Sequence, residues 1–150
     1  MLPASTFSFR PVSHPPGRKH DATPIHGRIK LMGLTYVKAS VINPADLKKK
    51  LRLRFLVDSG AVYSVVPESH LRKLGITPRG SKTFTLADGT EISRKYGHAV
   101  FALKDAEGAS PVIFGKEGDS CLLGMVSLEA LGYILDPIRR ELRPLPMVLG

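Results

Sequence analysis

Tryptophan is absent from this 150-residue chain and cysteine occurs once, as Cys121. One thiol forms neither an internal disulfide framework nor a zinc ribbon, so stability has to come from a hydrophobic core. No apolar run approaches the roughly 20 residues that a membrane-spanning helix needs. No apolar stretch follows a basic start in the manner of a secretory signal either, and together with the lone cysteine this makes the cytoplasm the expected compartment. Acidic residues are also scarce, 13 Asp+Glu against 22 Lys+Arg, for a formal charge of +9. What the chain does have is 43% apolar residues, which at this length suffice for one soluble domain burying about two-thirds of its unfolded surface.

An excess of base suggests nucleic acid as a partner, since clustered Lys and Arg neutralise phosphates. The distribution argues against it. The densest run, Lys48-Lys49-Lys50-Leu51-Arg52-Leu53-Arg54, ends in an alternation of charged and apolar residues, the pattern of a strand with one wet face. It carries no aromatics for base stacking, and lysines on a sheet edge also block unwanted strand pairing.

Residues 1–31 hold five of the 12 prolines and three of the five histidines without helical or strand periodicity, the composition of a flexible tail. His14, His20 and His26 lack the clustered spacing of a metal site, and no metal or other cofactor is expected. The folded lobe is expected over residues 32–147, with Met32 as a candidate translation start.

Within that lobe strand signals dominate. A β-rich run follows Met32 and ends at Asn43-Pro44; Leu51–Val57, Tyr63–Val66, Pro111–Gly115, Cys121–Leu123, Tyr133–Leu135 and Arg140–Leu145 read as further strands. Thr83–Ala87 and the residues from Thr90 to Leu103 form a hairpin around Asp88-Gly89, with Gly97 as a point of close approach. Two short helices are expected, one from Pro67 to Leu74 and one over Met125–Leu131, each stopped by a glycine. Seven or more short strands with two brief helices predict an all-β fold, a small closed barrel.

The segment Arg54-Phe55-Leu56-Val57-Asp58-Ser59-Gly60-Ala61 runs an apolar strand directly into a carboxylate. Burial of such a group demands donors, which Ser59 and the Gly60 N–H are placed to supply, and Gly60 and Ala61 leave room for a second chain or a substrate. An Asx-type turn at a strand end uses the same residue types, so the local composition alone leaves both readings open.

Further along, Leu122-Leu123-Gly124 leads into the helix Met125–Leu131. An Asp-Ser/Thr-Gly-Ala segment after three apolar residues, an Asp-Gly hairpin, and then an apolar-apolar-Gly strand with a short helix together resemble the retropepsin-like aspartic protease family, over about Met32 to Pro146. The first motif alone occurs by accident in roughly one chain in a hundred of this length. The resemblance implies that Asp58 is the catalytic aspartate and that Ser59 steadies the paired active-site loops across a dimer. It gives Gly60 and Ala61 as the small residues of that loop, and Leu122, Leu123 and Gly124 as the strand bracing it from behind. Ala87, Asp88, Gly89 and Thr90 match the flap over substrate. Viral members carry an acid after the Ala and an Arg after the downstream Gly, which pair; Val62 and Met125 stand there in this chain, so both partners are replaced together.

Aspartic proteolysis needs two carboxylates that share a proton, and this chain holds one such motif. The resemblance therefore implies a homodimer with Asp58 and its mate on the two-fold axis, hydrolysing an extended peptide with apolar side chains beside the scissile bond. Two alternatives remain: a catalytically silent member of the same fold that binds peptides or dimerises, and a basic β-barrel that binds nucleic acid. Other groups read more simply. His70 and His98 give Ser59 no triad context, Cys121 reads as core filler, and Asp105, Glu117, Asp119 and Asp136-Pro137 read as turns. Arg139, Arg140 and Arg143 read as the wet face of a terminal strand.

Overall fold

The computed structural model describes residues 27–31 and 35–146. Among them lie ten strands and two helices: β1 (Ile29–Lys30), β2 (Tyr36–Asn43), β3 (Asp46–Val57), β4 (Ser64–Pro67), α1 (Glu68–Lys73), β5 (Gly80–Thr85), β6 (Glu91–Leu103), β7 (Ala106–Gly115), β8 (Leu122–Leu123), α2 (Met125–Leu131), β9 (Tyr133–Asp136) and β10 (Glu141–Pro144). The all-β class is as expected.

The main sheet runs β2-β3-β8-β4-β7-β6-β5, and a further antiparallel pairing of β2 with β6 (Ser40↔Ala102, Val41↔Phe101, Ile42↔Val100) joins its two sides into a ring. Each wall buries one face. Val37 and Ala39 alternate with exposed or half-buried neighbours on β2 before its buried end at Val41–Asn43, and Phe55 and Val57 enter the interior from the end of β3. At the centre Phe55 and Phe101 meet edge to face with centroids 5.9 Å apart. The basic run keeps Arg52 and Arg54 exposed while Leu51 and Leu53 pack toward the core, and the Arg54 guanidinium lies 4.0 Å from the centroid of the Tyr36 ring.

The β2–β3 turn is held by one side chain. Asn43 Oδ1 accepts the Ala45 N–H at 2.7 Å, and its Nδ2 donates to the Leu74 carbonyl at 2.8 Å, tying the turn to the end of α1. The β6–β7 hairpin has a two-residue connection, Lys104-Asp105, in which Lys104 takes a left-handed φ of 54°. The helices lie where the sequence suggested, with Pro67 capping α1 from the last position of β4 rather than opening the helix itself.

The expected tail reaches too far along the chain. Ile29–Lys30 pairs with Glu141–Leu142 of β10, and Ile29 and Leu31 are buried. Their partners lie more than a hundred residues away, so no local periodicity reveals this strand. Residues 1–26, with His14, His20 and His26, and Met32 itself lie outside the described residues. Each of the two buried side chains is worth about 1.5–3 kcal/mol. A chain beginning at Met32 is therefore expected to lose about 3 kcal/mol or more of unfolding free energy in urea titration; equal stability would mean that β1 contributes nothing.

Candidate active site

Asp58 follows directly on β3, where the strand leaves the core. Its N–H donates to the Leu123 carbonyl at 3.1 Å, its carbonyl accepts the Ala61 N–H at 3.1 Å, and its Oδ1 accepts the Gly60 N–H at 2.9 Å. The Asx-type turn is thus present, and it is the device that fixes the carboxylate. Asp58 is half-buried, whereas Ser59 and Gly60 are exposed. Ser59 makes no hydrogen bond to Asp58 among the described residues, so the donor expected from its hydroxyl is absent within one chain.

The loop is clamped from behind. β8 runs parallel to β3 (Leu56↔Leu122, Val57↔Leu123) and meets β4 at Val65↔Leu122. A helix start leaves N–H groups unsatisfied. Here α2 has no side-chain cap; the Met125 N–H donates to the Ala61 carbonyl at 2.8 Å and the Val126 N–H to the Val62 carbonyl at 3.0 Å. Between them Gly124 passes so close that a Cβ would lie 2.6 Å from both the carbonyl carbon and oxygen of Tyr63.

Beneath this clamp three buried serines form a chain that the sequence did not reveal. The Gly124 N–H donates to Ser64 Oγ at 2.9 Å, Ser64 and Ser127 hydroxyls lie 2.5 Å apart, and Ser127 and Ser110 lie 2.6 Å apart. Ser110 Oγ donates to the Pro111 carbonyl at 3.2 Å. One ordering uses every hydrogen once, Gly124 to Ser64 to Ser127 to Ser110 to Pro111. Each serine alone reads as an ordinary residue of its strand or helix or of the segment before it, so only the fold discloses the network. Ser127→Ala is expected to cost about 1–3 kcal/mol, because its neighbours keep buried hydroxyls without their partner. Chemical denaturation reads this directly, and an unchanged midpoint would show the chain to be incidental.

In front of the loop lies a cavity of about 920 Å³ between the Ala61–Tyr63 segment and the β5–β6 hairpin, lined mostly by apolar side chains such as Phe84, Leu86, Ile92 and Ile113. Tyr63 and Phe84 close one side edge to face, centroids 6.3 Å apart. The hairpin turn is wider than a two-residue turn. The Leu86 N–H donates to the Thr90 carbonyl at 2.7 Å, the Gly89 N–H to the Leu86 carbonyl at 2.9 Å, and Gly89 alone takes a positive φ, 89°. This is a three-residue loop closed by a left-handed glycine. Asp88 Oδ1 accepts the Thr90 N–H at 2.9 Å, and the hydrogen bonds from Thr90 hold its carboxyl below the ordinary value of 3.8. Ala87, Asp88, Gly89 and Thr90 are all exposed and do not line the cavity; Thr83, Phe84, Leu86, Ile92 and Arg94, which sequence reasoning passed over, do.

The remaining candidates separate cleanly. Val62 lines the cavity and is exposed, as is Met125 beside it. Cys121 is half-buried, packs on the core, and has its thiol pushed up by burial, which suits filler rather than a nucleophile. His70 and His98 lie away from the cavity lining. Asp136 Oδ1 accepts the N–H groups of Ile138 and Arg139, which with the neighbouring arginines hold its carboxyl low, so it is a turn residue as read. No group of three or more metal-ligating side chains occurs among the described residues, and no described helix is long and apolar enough to cross a membrane.

Asp58, Ser59 and Gly60 do not themselves line the cavity, whose wall begins at Ala61. A carboxylate fixed on a braced loop that leads into the wall of an apolar cleft is the arrangement of an acid protease lobe, and the sequence comparison agrees. The family described as "gag-polyprotein putative aspartyl protease" matches residues 34–130, well over half of the chain. The chain belongs to this family. Among solved structures it is similar to a retropepsin-like aspartic protease from Rickettsia conorii, at 23% identity and a TM-score of 0.50, over 77% of this chain and 86% of that one. It is also similar to the Simian Foamy Virus (mac) protease in solution, at 19% identity and a TM-score of 0.46, over 63% of this chain and 92% of that one. At these identities the likeness concerns the fold. No curated protein matches the sequence significantly.

Proposed function

We propose that this family member is an aspartic endopeptidase that works as a homodimer, Asp58 of each copy supplying half of the catalytic pair. The observation that carries the proposal is the carboxylate of Asp58, half-exposed and held by the Gly60 N–H on a loop whose next residues wall an apolar cleft. One carboxylate cannot be base and acid at once. Two, placed together on a two-fold axis, share one proton because both cannot ionise at close range.

The chemistry then follows. The ionised carboxylate takes a proton from a water as its oxygen attacks the scissile carbonyl carbon, while the protonated carboxyl donates to the carbonyl oxygen. Collapse of the tetrahedral intermediate breaks the C–N bond: the departing nitrogen takes the proton held by the first carboxylate, and one hydroxyl of the intermediate returns a proton to the second as the new carboxyl group forms, so the pair regains its single proton. No metal enters. The pair titrates as a unit, with activity expected from acidic to near-neutral pH. In this reading Ser59 acts across the dimer, which accords with its exposure in one chain, and the β5–β6 hairpin serves as the flap, its exposed Ala87–Thr90 tip closing over a peptide laid along the groove as an added strand. The single cysteine favours the cytoplasm as its compartment.

Incubation of the full chain with a mixed peptide library is the test. Pepstatin-sensitive cleavage that survives a chelator is expected. Binding of peptides without any cleavage would instead favour the silent module, and cleavage abolished by the chelator would remove the aspartic mechanism.

A further inference from the structure

The β5–β6 hairpin places two cations directly opposite each other, at Lys82↔Arg94. Like charges facing across an antiparallel pair are destabilising. Both residues are half-buried, on the face that also carries Phe84 and Ile92, while Ser93 and Lys95 on the other face of β6 are exposed.

The two cations differ in what they meet. The Lys82 ammonium lies 4.6 Å from the Tyr96 ring centroid and 5.3 Å from that of Tyr63, where the ring faces attract a cation. On the outer face Lys95 has a carboxylate, Glu68, at 3.2 Å. Arg94 has neither. It donates to the neighbouring Ser93 carbonyl at 3.1 Å and has no carboxylate within 4.0 Å among the described residues. Arg94 lines the cavity with apolar Phe84, Ile92 and Ile113, and its guanidinium carries five N–H donors in a fixed fork.

We propose that Arg94 is the specificity determinant of the groove, pairing with a Glu or Asp side chain of an extended peptide whose neighbouring apolar side chain fills the cavity. This rests on the reading of the cleft as a peptide groove. A carboxylate accepts two parallel hydrogen bonds from a guanidinium, and the apolar surroundings strengthen that pairing. An anion there also relieves the Lys82–Arg94 repulsion, which a neutral side chain does not. The polarity of the cleft gives the acid a direction. Asp119 lines the cavity from the loop before β8, its Oδ2 accepting the Lys116 N–H at 2.7 Å, and it repels a substrate acid at that end.

The probe is a set of fluorescein-labelled octapeptides, amidated at the C-terminus, with a reduced Phe–Leu bond at the centre and one Glu, Gln or Lys placed in turn at each other position. Anisotropy titration onto the full chain measures binding without requiring catalysis. At one position Glu is expected to bind about tenfold tighter than Gln, Arg94→Gln to reduce that preference below about twofold, and Arg94→Glu to transfer it to Lys. Lys82→Gln retains most of the preference, and thermal melts confirm that each variant is folded. Equal affinity for Glu, Gln and Lys at every position overturns the proposal, as does a Glu preference that survives in Arg94→Gln, the absence of all binding, or a preference appearing only when the peptide C-terminus is left free. Cleavage of the corresponding amide peptides separates the two readings. Cleavage indifferent to Glu removes the role of Arg94 and leaves the endopeptidase. An Arg94-dependent Glu preference without cleavage keeps that role and removes the endopeptidase.

Discussion

Asp58→Asn is expected to lower kcat for peptide cleavage by at least about 10²-fold while leaving the fold intact, since loss of a positioned acid or base costs 10²–10⁴. The asparagine side chain keeps an oxygen able to accept the Gly60 N–H, now at 2.9 Å, and Asp58 is only half-buried. Its stability should therefore stay within about 0.5 kcal/mol of the parent. The combination is informative. A residue that merely shaped a turn would show its loss in the melting curve, whereas a catalytic carboxylate shows it in turnover. KM should change little, because the apolar cavity and the hairpin remain. Full activity in Asp58→Asn would end the assignment of Asp58.

Gly124→Ala is expected to be the most destabilising single methyl that can be added to the site. The new Cβ would meet backbone on both counts, 2.6 Å from the Tyr63 carbonyl carbon and oxygen and 3.0 Å from the Ala61 oxygen. A flexible side chain could move aside; this backbone is held in place, because the Ala61 and Val62 carbonyls just before Tyr63 are already engaged by the first N–H groups of α2. Overpacking of this kind costs about 1–3 kcal/mol or more, a large share of the roughly 5–15 kcal/mol that holds a domain together. The φ of −92° at Gly124 is open to any residue, so the penalty is one of space rather than backbone strain. Urea titration should show a lowered midpoint, with activity falling in parallel as the loop is pushed off its brace. A Gly124→Ala protein as stable and active as the parent would show that β8 and the Asp58 loop are not held as tightly as the structure has them.

The fold was legible wherever local chemistry decides the outcome. Gly132 ends α2, Gly75 follows α1, and Asp88-Gly89 sits at the tip of its hairpin, because each of those signals acts through a few neighbouring residues. It was illegible where partners are distant or where the usual punctuation is missing. β1 owes its existence to β10, the β2–β6 pairing joins strands from separate hairpins, and the β6–β7 turn puts a lysine in a conformation that glycine usually takes.

The site divides in the same way. Asp58, Gly60 and Ala61 stand together in sequence, and Leu122–Gly124 was found through the family resemblance; the structure brings both segments into hydrogen-bonding contact. The serine chain and the Lys82–Arg94 pair arise from residues that say nothing singly. A serine before two valines looks like any strand residue, and two basic residues on adjacent strands show their opposition only when the register is known. The flap tip drew attention by its turn chemistry, whereas the cavity is walled by the stem of the hairpin, whose alternating pattern resembles that of an ordinary amphipathic strand.

The central claim, that one Asp58 from each of two copies makes a single catalytic centre, is tested most directly by mixing. Parent and Asp58→Asn chains are combined in varying ratio, allowed to exchange subunits, and assayed at constant total concentration. A shared dyad predicts activity falling as the square of the parent fraction, to about a quarter at equal amounts, since only dimers of two intact chains carry both carboxylates. A linear fall, to about half at the same ratio, would mean that each chain acts alone and would contradict the account.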